Sequence, residues 1–330
     1  MKKYHVYGLG NALVDYEYEV EASFLKEMNI DKGLMLLVDE ARQAEIVEKL
    51  HGLGHKRNCG GSAANTLIAV AQLGGKGFYS CKVANDETGK FYFSDLKREG
   101  LETNLKDGSL EDGTSGKCLI LITPDADRTM NTYLGISQGF STEQLDEKSI
   151  TESEYLYIEG YLVTSPTGKE AATAARDIAR KNGTKVSLTL SDPGVVEYFK
   201  SGFEEIIDGG VDLLFCNEAE AMSFTGADNF EQATVKLKEI TKSLAITRGA
   251  QGAYIWDGEK EIQVLAPEVK AIDTNGAGDL FAGSFLYGIT NGMSFGEAGK
   301  LACACSSKLV TQFGARLSKD QIQEVYAKMH

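Results

Sequence analysis

Asp273-Thr274-Asn275-Gly276-Ala277-Gly278-Asp279 sets three small residues directly before a carboxylate. The run that follows, Leu280-Phe281-Ala282-Gly283-Ser284-Phe285-Leu286-Tyr287, carries its apolar residues at helical spacing, so the small residues form the entry turn of a helix. Backbone N–H groups at such an entry are unpaired, and the helix dipole draws an anion to them. Glycines let a phosphate approach that backbone closely. Asp279 then stands in the first turn, beside the phosphate. A carboxylate there has one natural task, to take a proton from an attacking hydroxyl while the N–H groups hold the transferring phosphoryl group. An ordinary Asp cap after a glycine turn is the other reading of this segment alone.

Composition narrows the class. The 330 residues suffice for one large domain, with or without a smaller appendage, and are those of a globular protein, 42% hydrophobic and 25% charged with 4 Pro. Net charge is −14 with no basic stripe, which speaks against nucleic acid or an anionic membrane as partner. The amino-terminal residues lack a signal-peptide apolar core, and no apolar stretch approaches the length of a membrane span. Six scattered cysteines without a CxxC read as reduced thiols in the cytoplasm. The four histidines fall outside every motif, which argues against a His-based triad or metal site.

Working outward from the glycine turn, short β-branched and aromatic runs at 4–9, 77–83, 155–163, 185–190, 211–216, 243–247, 253–256 and 261–265 read as strands. Helix-period segments lie at 40–51, 61–73, 87–99, 168–182, 195–207, 217–225, 230–241, 278–290, 295–312 and 318–328. This alternation predicts a three-layer α/β/α domain with a mostly parallel central sheet, whose ligands bind beyond the strands' carboxyl ends. Residues 14–38 and 114–134 alternate instead like half-exposed strands and are expected to form a small β-sheet lid. The large domain is then 1–13, 39–113 and 135–330.

Four further segments carry candidate chemistry. Cys59-Gly60-Gly61-Ser62-Ala63-Ala64-Asn65-Thr66 opens the helix 61–73, and Asn65 offers a donor and an acceptor suited to sugar hydroxyls. Close helix–sheet packing through small residues explains the segment equally. Gly8-Leu9-Gly10-Asn11-Ala12-Leu13-Val14-Asp15 begins like a dinucleotide fingerprint, but Leu13 replaces its third glycine, so Asn11 and Asp15 read better as polar groups at a strand end. Asn217-Glu218-Ala219-Glu220 follows a strand and puts Asn217 and Glu220 on one helix face, fit for a hydrated Mg2+ or for a capping box. Thr247-Arg248-Gly249-Ala250-Gln251-Gly252 is a glycine turn with a leading hydroxyl, suited to a nucleotide or simply to a hairpin.

In their order these segments resemble the ribokinase-like (PfkB) carbohydrate and nucleoside kinases, from about residue 4 to residue 328. The resemblance implies a large domain with a β-lid, ATP with Mg2+ held largely through water, and transfer of the γ-phosphoryl group to an alcohol. It makes Asp279 the base and Asn275, Gly276, Ala277 and Gly278 the anion hole. It assigns Asn217 and Glu220 to the metal and phosphate, and Thr247, Arg248, Gly249 and Gly252 to the nucleotide. Asn11, Asp15, Gly60, Gly61, Ser62 and Asn65 fall where the family holds its sugar. A potassium requirement and the choice between monomer and homodimer stay open.

For the acceptor, Lys32-Gly33-Leu34-Met35-Leu36-Leu37-Val38 and Asp127-Arg128-Thr129-Met130-Asn131-Thr132-Tyr133 look most like the adenosine kinase branch. Leu13, Met35, Leu36, Cys118, Met130 and Tyr161 would make an apolar pocket, which a flat base uses and a bare ribose does not. Arg128 resembles the lid arginine that approaches the transferring phosphate. Glu159 falls where ribokinases hold a sugar-contacting acid, and Cys303 where they have an adenine-contacting Asn. The expectation is a nucleoside, foremost adenosine. A guanosine/inosine kinase, a plain sugar kinase and a silent nucleoside-binding protein on the same fold are the alternatives.

Overall fold

The strand β9 (Ser153–Ile158) shows how the large sheet is made. Its Leu156 and Ile158 enter the core on one face, and its Tyr155 and Tyr157 the core on the other. A strand covered on both faces needs a near-continuous apolar run, which is what the sequence supplies. Each such side chain contributes roughly 1.5–3 kcal/mol by leaving water.

The computed structural model describes residues 2–33, 35–125 and 127–329. Met1, Leu34, Ala126 and His330 lie outside the described residues, Leu34 and Ala126 within the stretches expected to form the lid. The other strands are β1 (Tyr4–Leu9), β2 (Leu13–Glu19), β3 (Met35–Leu37), β4 (His55–Gly60), β5 (Gly77–Ser80), β6 (Glu102–Thr103), β7 (Ser115–Ile122), β8 (Arg128–Gly135), β10 (Lys185–Thr189), β11 (Leu213–Asn217), β12 (Leu244–Thr247), β13 (Ala253–Trp256) and β14 (Glu261–Val264). The helices are α1 (Ala22–Glu27), α2 (Glu40–Lys49), α3 (Ser62–Gln72), α4 (Glu87–Arg98), α5 (Glu147–Thr151), α6 (Pro166–Lys181), α7 (Pro193–Ile207), α8 (Glu218–Thr225), α9 (Phe230–Lys238), α10 (Ala277–Thr290), α11 (Phe295–Leu309) and α12 (Lys319–Ala327).

The large sheet runs β14-β13-β12-β11-β10-β9-β1-β5-β6. From β12 to β6 every neighbouring pair is parallel, and only the β12–β13–β14 edge is antiparallel. Helices α6 to α9 pack on one face, α3, α10 and α11 on the other. This is the expected three-layer arrangement. Residues 160–164, read as a continuation of β9, form a 3-10 turn instead.

The second sheet has the order β3-β8-β7-β2-β4. Its outer face is covered by Leu25 and Met28 around α1 and by Ile46 and Leu50 around α2, against Tyr18, Leu119 and Leu121. Its other face carries Leu13, Asp15, Cys118, Ile120, Met130 and Thr132 into a cavity, as the two-residue strand period requires. The lid is larger than the sequence boundaries placed it. Strand β4 pairs with β2, so it belongs to the lid and not to the large domain. Its His55-Lys56-Arg57-Asn58 run has no apolar alternation because an edge strand is kept soluble by charge, and so periodicity could not reveal it. Among the described residues no helix is long and apolar enough to cross a membrane.

Candidate active site

The glycine turn enters α10 through Gly276, whose φ of 72° is left-handed. A Cβ there would stand 2.4 Å from the Ala315 carbonyl oxygen, so only glycine fits. Asp273 shapes the turn: Oδ1 accepts from the Asn275 amide at 3.0 Å and Oδ2 from the Gly314 amide at 3.0 Å. The Ala277 amide donates to the Thr274 carbonyl at 3.2 Å and is taken. Ala277 is therefore removed from the expected anion hole as a donor. The next amides, those of Gly278 and Asp279, have no preceding turn to pair with and open toward the cavity, which Asn275, Gly276, Gly278 and Asp279 line.

Asp279 is held from α3. Ser62 Oγ donates to its Oδ1 at 2.7 Å and Asn65 Nδ2 to its Oδ2 at 2.9 Å. The α3 entry that presents them turns at Gly61, with φ 96° and a would-be Cβ 2.4 Å from the Asn11 carbonyl oxygen. Burial raises the Asp279 carboxyl above its ordinary range, while the bonds from Asn65 and Ser62 and the charge of Arg316 restrain the rise. Ser62 and Asn65, expected on the sugar, thus bond the carboxylate expected to be the base.

The remaining polar groups stand at the carboxyl ends of adjacent parallel strands: Asn11 after β1, Glu159 after β9, Ser191 after β10, Asn217 on β11 and Thr247 on β12. Glu159 has little left for a sugar. Its Oε1 accepts from the Asn11 amide at 3.0 Å and from Asn11 Nδ2 at 3.1 Å, and its Oε2 accepts from the Ala63 amide at 2.8 Å. It anchors Asn11 and the first turn of α3, and burial pushes its carboxyl up to about 7. Asp15 differs. Among the described residues no donor bonds its carboxylate, which burial pushes up to about 7. Such a group is a ready acceptor for vicinal hydroxyls.

Asn217 and Glu220 form a capping box: the Glu220 amide donates to Asn217 Oδ1 at 2.8 Å, and Glu220 Oε2 accepts from the Asn217 amide at 3.0 Å. The same two residues line the cavity, so the local cap and the chemical reading coexist. Of the 247–252 turn only Thr247 lines it. Arg248 turns away, with Nε donating to Glu218 at 2.9 Å and its guanidinium over Phe230, while Gly249 and Gly252 close the hairpin between β12 and β13.

The cavity itself measures about 450 Å3. Leu13, Met35, Leu37, Ile120, Met130 and Leu134 of the lid form its apolar side, Cys118 and Tyr161 adjoin, and Gly60 and Gly61 lie on its floor. Leu36 does not line it; in β3 its neighbours Met35 and Leu37 do, because side chains alternate. Arg128 is also outside the lining. Its Nη2 donates to Glu17 Oε1 at 2.6 Å and its Nη1 to Asp273.

An anion-binding helix entry, a buried carboxylate beside it and a lidded acceptor cavity at the strands' carboxyl ends describe a phosphotransferase. The sequence profile of the pfkB family carbohydrate kinases matches residues 36–322. The chain belongs to that family. It is a kinase that transfers a phosphoryl group from ATP to an alcohol. Among solved structures it is similar to a probable sugar kinase from Rhizobium etli (33% identity, TM-score 0.89, all of both chains covered). It is equally similar to the adenosine kinase of Sinorhizobium meliloti (33% identity, TM-score 0.88, 99% of both chains). Adenosine kinase 1 of Arabidopsis thaliana is 25% identical over 93% of this chain and 94% of its own.

Three residues of the kinase's site gave no sequence signal. Ser191 has a left-handed φ of 67°, unusual outside glycine, and its Oγ accepts from the Gly160 amide at 3.0 Å. Asp192 caps α7 and raises Glu220 by its charge. Arg316, in the loop after α11, reaches Asn65. The bare segments offered no pattern to find them.

Proposed function

We propose that the kinase phosphorylates adenosine at its 5′-hydroxyl. The observation that carries this reading is the pairing, in one cavity of about 450 Å3, of the unpartnered Asp15 carboxylate with an apolar lid face ending at Asp279. Ribose hydroxyls supply the donors that Asp15 lacks, the base occupies the apolar side, and the 5′-hydroxyl is directed to Asp279. A free sugar leaves the apolar side facing water. The similarity to two proteins named adenosine kinase supports the choice.

In the reaction Asp279 would accept the 5′-hydroxyl proton as that oxygen bonds the γ-phosphorus and the bond from phosphorus to the β,γ-bridging oxygen breaks, releasing ADP, while the amides of Gly278 and Asp279 hold the charge on the transferring group. Lid closure excludes water, so ATP is not simply hydrolysed. A divalent cation fits beside Asn217 and Glu220. The Glu220 carboxyl is pushed up to about 7 by burial and then by Asp192 and Asp279, with no cationic side chain relieving it. Among the described residues no cluster of three ligating side chains occurs, so Mg2+ would keep most of its water and screen the phosphate charge. Activity in potassium against sodium buffer decides the potassium requirement. Light scattering decides between monomer and homodimer, and the six unpaired buried thiols fit the cytoplasm.

ADP release with adenosine, guanosine, inosine, ribose and fructose tests the proposal. Adenosine should exceed ribose by roughly 10–200-fold in kcat/KM, the worth of the base's apolar contact. Equal or better ribose or fructose would leave a sugar kinase, a guanosine preference would move the base assignment, and no turnover with any acceptor would leave a silent binding protein.

A further inference from the structure

Arg316 is separated from Asn65 by most of the chain, yet its Nε donates to Asn65 Oδ1 at 2.7 Å and its Nη1 to Asp95 Oδ2 at 2.7 Å. Asn65 in turn donates Nδ2 to Asp279 Oδ2 at 2.9 Å. An amide has one donor end and one acceptor end. A guanidinium is always a donor and always charged. With Arg316 on one side, Asn65 can only present Oδ1 to it and Nδ2 to the carboxylate. The flipped amide would set N–H against guanidinium and oxygen against carboxylate. Asp95, which is 3% exposed and also paired with Arg98, fixes the guanidinium from behind.

We propose that Arg316 is a positioning residue of the phosphoryl transfer: through the Asn65 amide it aims and holds the Asp279 carboxylate as proton acceptor. This rests on Asp279 being the base. The other titratable groups whose charge is felt with Asp279 are Tyr157, Glu159, Tyr161 and Glu220, all acidic. Arg316 is the cation that opposes them. Losing it removes both the orientation of the amide and the charge that favours the ionised carboxylate, so the acid limb of the rate profile must move to higher pH.

The test is the pH dependence of kcat for the full-length Arg316→Gln, Arg316→Lys and Asn65→Leu variants, with Asp279→Asn in parallel. Expected for Arg316→Gln is a loss of up to about 10-fold in kcat at neutral pH with adenosine saturating, a KM for ATP within about threefold, a raised adenosine KM because Asp15 also loses this cation, and an acid limb about one pH unit higher, so that alkaline pH recovers much of the rate. Arg316→Lys keeps the charge without the fork and should fall between. Asn65→Leu leaves the Arg316–Asp95 pair intact and should shift the limb likewise, which keeps the test available if Arg316→Gln does not fold. A merely structural arginine would lower kcat equally at every pH. That result, or an unmoved limb in Asn65→Leu, overturns the proposal. Near-normal turnover of Asp279→Asn would instead remove the base assignment on which it rests; an inactive Asp279→Asn beside an unmoved limb removes the Arg316 proposal alone.

Discussion

Arg128, the first residue of lid strand β8, is ion-paired with Asp273, the first residue of the glycine turn. Its other arm holds Glu17 of β2 at 2.6 Å. Because Asp273 also accepts from the Asn275 and Gly314 amides, one carboxylate ties the lid to the glycine turn proposed as the anion hole. Lid position and hole geometry are therefore coupled through this pair.

Arg128→Ala leaves Glu17 and Asp273 together without their cation, both at low exposure. We expect kcat to fall by about 10-fold or more with the adenosine KM changed less, since the pair ties the lid to the glycine turn that is proposed to hold the transferring phosphate. Steady-state kinetics separate the two. A double-mutant cycle of Arg128→Ala with Asp273→Asn, read by urea denaturation, should return a coupling of about 1–3 kcal/mol. A variant that loses only adenosine affinity would place Arg128 in ground-state binding.

Asp279→Asn keeps the shape of the carboxylate and both donors' access but cannot take a proton. It should lower kcat by about 10²–10⁴-fold while ATP still binds in equilibrium titration.

Asp15 must be ionised to accept hydrogen bonds from two hydroxyls, and burial pushes it up to about 7. Adenosine affinity, measured calorimetrically, should be flat above that pH and fall by up to about 10-fold per unit below it. Asp15→Asn should flatten the profile and weaken binding at pH 8 by about 10–100-fold, the loss of charge-assisted bonds. A wild-type affinity independent of pH would take Asp15 off the acceptor.

Glu220→Gln should raise the Mg2+ concentration needed for half-maximal rate. It should also change stability with pH. The carboxyl of Glu220 rises from 4.5 to about 7 on folding, so its contribution is complete below the lower value and lost as pH rises through the upper one. In chelator, the Tm of Glu220→Gln relative to wild type should accordingly increase between pH 5 and pH 8. An unchanged Mg2+ titration would reduce Asn217 and Glu220 to their capping box.

Several residues were legible in kind but not in partner. Asn65 was recognisable as an amide one turn into α3, and Glu159 as an acid only through the family resemblance. Which groups they bond depends on Arg316 and Ala63 being brought against them by the packing of α3 on the sheet. Met35 and Leu37, rather than Leu36, line the cavity because register selects one face of a strand that is exposed at all three positions. The lid boundary failed at β4, where a charged edge strand carries no periodicity.

By itself the sequence determined the layer order, the parallel sheet and the glycine entry of α10, because strand period, helix period and left-handed glycines are local properties of the backbone. It also determined which residue types would meet at the strands' carboxyl ends. The tertiary structure alone decided that Asn65 and Ser62 face Asp279, that Arg128 is tied to Asp273, that β4 joins the lid, and that Arg316 bonds Asn65. Hydrogen-bond partners far apart in the chain are chosen by packing, and no local pattern encodes them.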